Sequence, residues 1–168
     1  MLTLTQAFDE LIKLTASGNA TTKQLMDLAA QVSLDTAPGK TQGAVTLLYS
    51  GPINGMESID YVRKMIKSGA DIRVIDNTQV GQFLAKDDIF KNAWLAAGGT
   101  EADLYHGSNG PWAKASGRFV AATVGEVRLL GFNASGRSVF VNTELKTALL
   151  DSSRITSIEG ISTADLKS

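Results

Sequence analysis

The sequence predicts an α/β (α+β) fold: a helical N-terminal part followed by a small, mainly parallel sheet flanked by helices. Three observations predict it. Apolar residues recur at helical spacing through the first part of the chain, short apolar runs rich in β-branched residues dominate the last third, and Gly or Pro marks most of the boundaries between them. A chain of 168 residues is long enough for one compact domain with its own core.

Leu4, Phe8, Leu11 and Ile12 fall on one helical face, with Thr3 and Gln6 placed as a capping box and Gly18 as a stop. A second helix starts after Thr21, again with a Gln three residues on, and aligns Leu25, Leu28, Ala29 and Val32. Residues 35–43, with Pro38, Gly39 and Gly43, are the best linker candidate. Residues 1–43 therefore read as a helical hairpin that leads into or packs on a body spanning 44–168.

Within that body, 44–49 is apolar and ends at the Ser50-Gly51-Pro52 break. Asn54 and Glu57 can cap a helix with Ile59, Val62 and Ile66 inward, stopped by Gly69. Residues 72–75 read as a short buried strand. Two short helices follow, one holding Val80, Phe83 and Leu84, the other Ile89, Phe90, Ala93 and Trp94. Asn109-Gly110-Pro111 opens a helix to about Thr123, with Pro in the first turn where its missing N–H costs nothing. Residues 127–130, 138–141 and 155–158 then read as strands.

Net charge is −1, from 16 basic and 17 acidic residues, and no basic run is present. Nucleic-acid binding draws much of its affinity from Lys and Arg on phosphates, so this balance argues against it. The absence of cysteine removes disulfides, thiol nucleophiles and Cys-based metal sites. It fits a reducing compartment, or a chain that must unfold to cross a membrane. The N-terminus carries acids and no basic n-region, so no signal peptide is expected, and no apolar run approaches the roughly 20 residues of a membrane span. No GxGxxG, no GxxxxGK[ST] and no GxSxG motif occurs, and His106, the one histidine, lies in a Gly-rich loop. No metal is expected.

Four segments carry candidate chemistry. Trp112, Ser116 and Phe119 share a helix face, with Trp112 in the first turn, where free N–H groups attract anions. The strand at 138–141, with Phe140, runs into Glu144, a carboxylate at a strand end, where α/β sheets collect ligands. An apolar run delivers Tyr49 and Ser50 into a turn. Another delivers Asp76 and Thr78, and locally Asp76 is placed to cap the next helix. On spacing alone these residues read first as core packing, caps and surface.

Taken together and in order, the segments resemble the ADP-ribosyl cyclase and NAD glycohydrolase family. Trp112-x-x-x-Ser116-x-x-Phe119 is similar to the family's helix bearing the nicotinamide-side Trp and its partner Ser. Ser138-x-Phe140-x-x-x-Glu144-Leu145 looks like the segment with the catalytic Glu, and 155–159 like the strand after it. Leu47-Leu48-Tyr49-Ser50 stands where the family has Leu-Leu-Trp-Ser, and Asp76-Asn77-Thr78 with Gly81 is similar to its Glu-Asp-Thr turn. The chain departs from the animal enzymes in lacking cysteine and in having Tyr49, Gly51 and Asp76 where they have Trp, a basic residue and Glu; residues 1–43 show no likeness.

The resemblance implies an ADP-ribosyl cyclase-like fold over the body and cleavage of the nicotinamide–ribose bond of NAD⁺, the substrate, with no cofactor. Glu144 would be the catalytic carboxylate, Trp112 and Tyr49 the aromatic walls, Ser116 the partner of ribose or phosphate, and Asp76 the partner of the nicotinamide amide. Ser50, Thr78 and Phe140 would line or support the pocket. A cysteine-free form without a leader looks like a bacterial toxin domain that acts in the target-cell cytoplasm without inserting into its membrane, with a cognate immunity protein as partner. Two alternatives stay open: a cyclase making cyclic ADP-ribose, and a non-catalytic nucleotide-binding or interaction domain.

Overall fold

The computed structural model describes residues 1–49, 52–53, 56–107, 109–130, 155–158 and 161–162. Glu144, Phe140 and Ser50, with the strand expected at 138–141, lie outside the described residues. Helices and a largely parallel sheet together make a mixed α/β protein. The helices are α1 (Leu4–Thr15), α2 (Thr22–Ala29), α3 (Ser58–Lys67), α4 (Gln79–Ala85), α5 (Ile89–Ala96), α6 (Glu101–Tyr105) and α7 (Pro111–Ala121). The strands are β1 (Val45–Tyr49), β2 (Pro52–Ile53), β3 (Met56–Glu57), β4 (Ile72–Arg73), β5 (Gly125–Leu130), β6 (Ile155–Ile158) and β7 (Ile161–Ser162). No described helix is long and apolar enough to cross a membrane.

The chain divides into two compact units, each built from two separate stretches: Met1–Thr41 with Ile75–Ala115, and Gln42–Val74 with Ser116–Ser168. In the first, both expected capping boxes form: Thr3 accepts from the Gln6 N–H at 3.2 Å and Thr21 from the Gln24 N–H at 3.2 Å, and each Gln side chain accepts the cap residue's own N–H at 3.0 Å. Such caps stabilise a short helix by about 1 kcal/mol each. The core is a file of aromatic rings, Phe8–Phe83, Phe83–Phe90 and Phe90–Trp94, with centroids 5.1, 5.3 and 6.3 Å apart. Phe83, Phe90, Leu11 and Leu25 are buried, and each fully buried side chain of this size contributes about 1.5–3 kcal/mol. Ile12, expected on the inner face of α1, is 65% exposed, because the helix turns Ala7 and Leu11 to the core instead. Helix α6, capped by the Thr100 hydroxyl, occupies a stretch where no element was expected.

In the second unit β1 lies between β4 and β5, parallel to both; β6 runs parallel to β5, and β7 closes that edge antiparallel. Alternation along β1 sends Leu47 into a cluster with Val62 of α3, Ile72 and Val74, against which Met65 and Ile66 pack. Thr46 points the other way, to the face carrying Phe119 and Thr123. Both faces of the centre are covered, as a parallel sheet requires. Strand β4 is shorter than expected. At Val74 a side chain takes over the pairing, the Gln42 amide donating to the Val74 carbonyl at 2.7 Å and accepting its N–H at 2.9 Å, and Ile75 already begins a 3₁₀ turn.

Candidate functional site

The second unit supplies the carboxyl ends of the parallel strands. Tyr49 closes β1 and stands in register with Leu130, which closes β5, so the two central strands end side by side. Ser116, the first residue of the unit's share of α7, is 3% exposed. Three residues on, Phe119 is 1% exposed and supports the guanidinium of Arg73, 4.0 Å from the ring centroid. Arg73 also donates to the hydroxyls of Thr123 at 2.9 Å and Thr46 at 3.3 Å. Burial holds its pKa below the usual arginine value. Thr123 in turn donates to the Phe119 carbonyl at 2.7 Å, so Arg73 places its charge at the carbonyl end of α7, where a cation is favoured.

The first unit holds the turn with Asp76 and Thr78. Ile75–Asn77 is a 3₁₀ turn, and α4 starts at Gln79 with Thr78 as its N-cap. The cap expected from Asp76 is thus made by Thr78, because Asp76 is still inside the tighter turn two residues upstream. Thr78 is fully buried; its hydroxyl donates to the Ile75 carbonyl at 2.6 Å and accepts from the Gly81 N–H at 3.0 Å. Asp76 is half-buried, and its carbonyl accepts from the Gln82 amide at 2.7 Å.

Trp112 lies in the first turn of α7, as expected. The side chain is half-buried, and its indole Nε1 is shut off from water without a hydrogen-bond partner among the described residues. A buried donor left unmatched costs about 1–3 kcal/mol, so an acceptor supplied by a ligand or by a residue outside the described set would be well rewarded. The division between units falls within α7, after Ala115; Trp112 belongs to the first unit with Asp76 and Thr78, Ser116 to the second with Tyr49.

A cavity of about 420 Å³ opens within the first unit, lined by Thr22, Trp94, Gly99, Asp103, Asn109 and Gly110 among others. None of the expected site residues lines it. Two of its glycines answer to packing: a Cβ on Gly99 would overlap the Trp94 indole, and one on Gly110 the Asp103 carbonyl oxygen. The Trp94 indole N–H is already committed to the Thr100 carbonyl at 2.9 Å. Among the described residues, no group of three His, Cys, Asp or Glu side chains is arranged to hold a metal ion.

Arg73 escaped the sequence reading, and Asn77, quoted there as part of the Asp76-Asn77-Thr78 turn, was given no role of its own. Arg73 sits in a run read only as buried strand, and its partners lie 27 and 50 residues away. No protein-family model, curated protein or solved structure matches this chain.

Proposed function

We propose that this chain is an NAD⁺ glycohydrolase that releases nicotinamide and ADP-ribose, a bacterial toxin domain that depletes NAD⁺ in target cells and is held in check in its producer by an immunity protein. Breaking the nicotinamide–ribose bond creates an oxocarbenium-like ribosyl centre, while nicotinamide leaves neutral and needs no general acid. The protein has to supply a fixed negative charge beside the ribose. A preorganised charge of this kind contributes about 10²–10³ in rate, and Glu144 is assigned to it. Trp112 and Tyr49 hold the rings, Ser116 meets ribose or phosphate, Asp76 meets the nicotinamide amide, and Ser50, Thr78 and Phe140 complete or support the pocket.

The observation that carries this reading is the orphan indole N–H of Trp112, a buried donor awaiting an acceptor on the residue assigned to the nicotinamide side. It is supported by the closure of β1 at Tyr49 beside the end of β5, since ligands of open α/β sheets collect at the carboxyl ends of strands. The ordered matches from Leu47 to Glu144 supply the chemistry.

The test is direct. Purified protein mixed with NAD⁺ releases nicotinamide, and chromatography finds ADP-ribose as the product. Glu144→Gln keeps shape and removes charge, and it lowers the rate by about 10²–10³. A bacterial host tolerates the Gln form and not the wild type. No nicotinamide release at protein concentrations near that of substrate would overturn the enzymatic reading, and equal host tolerance of both forms would overturn the toxin role.

A further inference from the structure

A three-residue 3₁₀ turn has little power to hold itself, since its internal bonds are few and poorly aligned. Ile75–Asn77 is nevertheless tied down at every carbonyl. The Ile75 carbonyl accepts from the Thr78 N–H at 3.0 Å and from the Thr78 hydroxyl; that of Asp76 accepts from the Gln82 amide. That of Asn77 accepts from the Ala37 N–H at 2.8 Å, from a segment forty residues back in the chain.

The same distant segment grips the turn and the start of α4 at three more points. The Gln79 N–H donates to the Asp35 carbonyl at 2.8 Å, which together with the Ala37–Asn77 bond makes an isolated antiparallel bridge between Thr36 and Thr78, and the Val80 N–H donates to the Ser33 carbonyl at 2.9 Å. The Asn77 side chain, 6% exposed, reaches back and donates through Nδ2 to the Thr41 carbonyl at 3.1 Å. Helix α1 is attached too, its Leu4 N–H donating to Gln79 Oε1 at 2.7 Å.

We infer that residues 33–41 are a strap that positions the Asp76 carboxylate, with Asn77 as the positioning residue through which it acts. What Asp76 contacts rests on the NAD⁺ reading above; that the strap fixes the turn does not. A carboxylate meeting a substrate amide has to be placed closely, and a displacement near 1 Å can cost up to about 10²-fold in rate. Residues 1–41 are then a working part of the catalytic chain, and the same surface of the turn would be lost if they were displaced.

The experiment uses the full chain with Asn77→Ala, which removes the side-chain amide, and the near-isosteric Asn77→Asp, which replaces the donor by a carboxylate oxygen and adds a negative charge. Each lowers kcat/KM for nicotinamide release about tenfold, and in an Asp76→Ala background neither lowers it further, since a residue acting through Asp76 has nothing left to position. Hydrogen exchange at the Ala37, Gln79 and Val80 amides speeds up in both variants, while the amides of α1 and α2 stay protected. Effects that add in full to Asp76→Ala, or exchange at those three amides that does not change, would overturn the inference. A wild-type chain that releases no nicotinamide sinks the NAD⁺ reading instead, and the exchange result alone then decides whether 33–41 holds the turn.

Discussion

Arg73 lies over the ring of Phe119, its guanidinium carbon 4.0 Å from the ring centroid, and through the Thr123 hydroxyl it closes the C-terminal end of α7. This places a charge where no carboxylate pairs with it among the described ion pairs. An aromatic face, two hydroxyls and a helix dipole stand in for one. Arg73→Met keeps an apolar stem over Phe119 and removes both hydroxyl bonds. It should cost about 1–3 kcal/mol, read as a lower urea midpoint at unchanged m-value. A midpoint equal to wild type would mean that the charge contributes nothing there.

Gly81 reverses a general rule. Replacing an interior helix glycine by alanine ordinarily stabilises by about 1 kcal/mol. A Cβ on Gly81 would overlap the Ile75 carbonyl oxygen, which is backbone and cannot swing aside. Gly81→Ala should therefore destabilise by about 1–3 kcal/mol and should disturb the Asp76 turn directly. Thermal melting decides the sign, and a stabilised variant would contradict the close approach of α4 to that turn.

Thr78 offers a graded pair. Thr78→Val is nearly isosteric but leaves the Gly81 N–H buried without its acceptor, at a cost of about 1–3 kcal/mol. Thr78→Ser keeps both hydroxyl bonds and loses one methyl, about 0.8 kcal/mol. Denaturation should rank wild type above Ser and Ser above Val; Val equal to Ser would show that the hydroxyl does not cap α4.

Trp112→Phe separates binding from stability. The change deletes the orphan donor, and the relief of its desolvation offsets part of the lost ring area. The melting temperature should move by no more than about 2–4 °C, the shift expected for 1 kcal/mol in a chain of this size, while kcat/KM for nicotinamide release falls about tenfold. A large drop in melting temperature at full activity would make Trp112 a core residue and nothing more.

Local signals carried much of the fold into view. Thr3 with Gln6 and Thr21 with Gln24 act within four residues of each other, so their capping boxes are legible in the sequence and form as expected. Strands β5 and β6 were equally plain, their apolar runs at 127–130 and 155–158 forming as expected, with β5 starting two residues earlier at Gly125. Helix α6 had a usable sign, Thr100 followed by acids at Glu101 and Asp103, but five residues are too few for a hydrophobic period to emerge. Ile12 was misplaced because a 3.6-residue period leaves the edge of an apolar face ambiguous, and packing settles which edge faces in. What spacing does not carry is pairing across the chain. The bond from Asn77 to the Thr41 carbonyl spans 36 residues and that from Arg73 to Thr123 spans 50, and neither partner bears any mark of the other. The candidate site was read from a likeness of ordered segments, and Trp112 alone among its aromatic members has since acquired a physical reason of its own.

The two compact units are threaded through one another in chain order: each waits for a second stretch that is made only after part of its neighbour. During synthesis, at about 5–20 residues per second, helices α1 and α2 emerge without the aromatic partners that α4 and α5 will bring, so Phe8 spends several seconds with no ring to meet. A nascent chain with its apolar faces idle for that long is a natural client for chaperones.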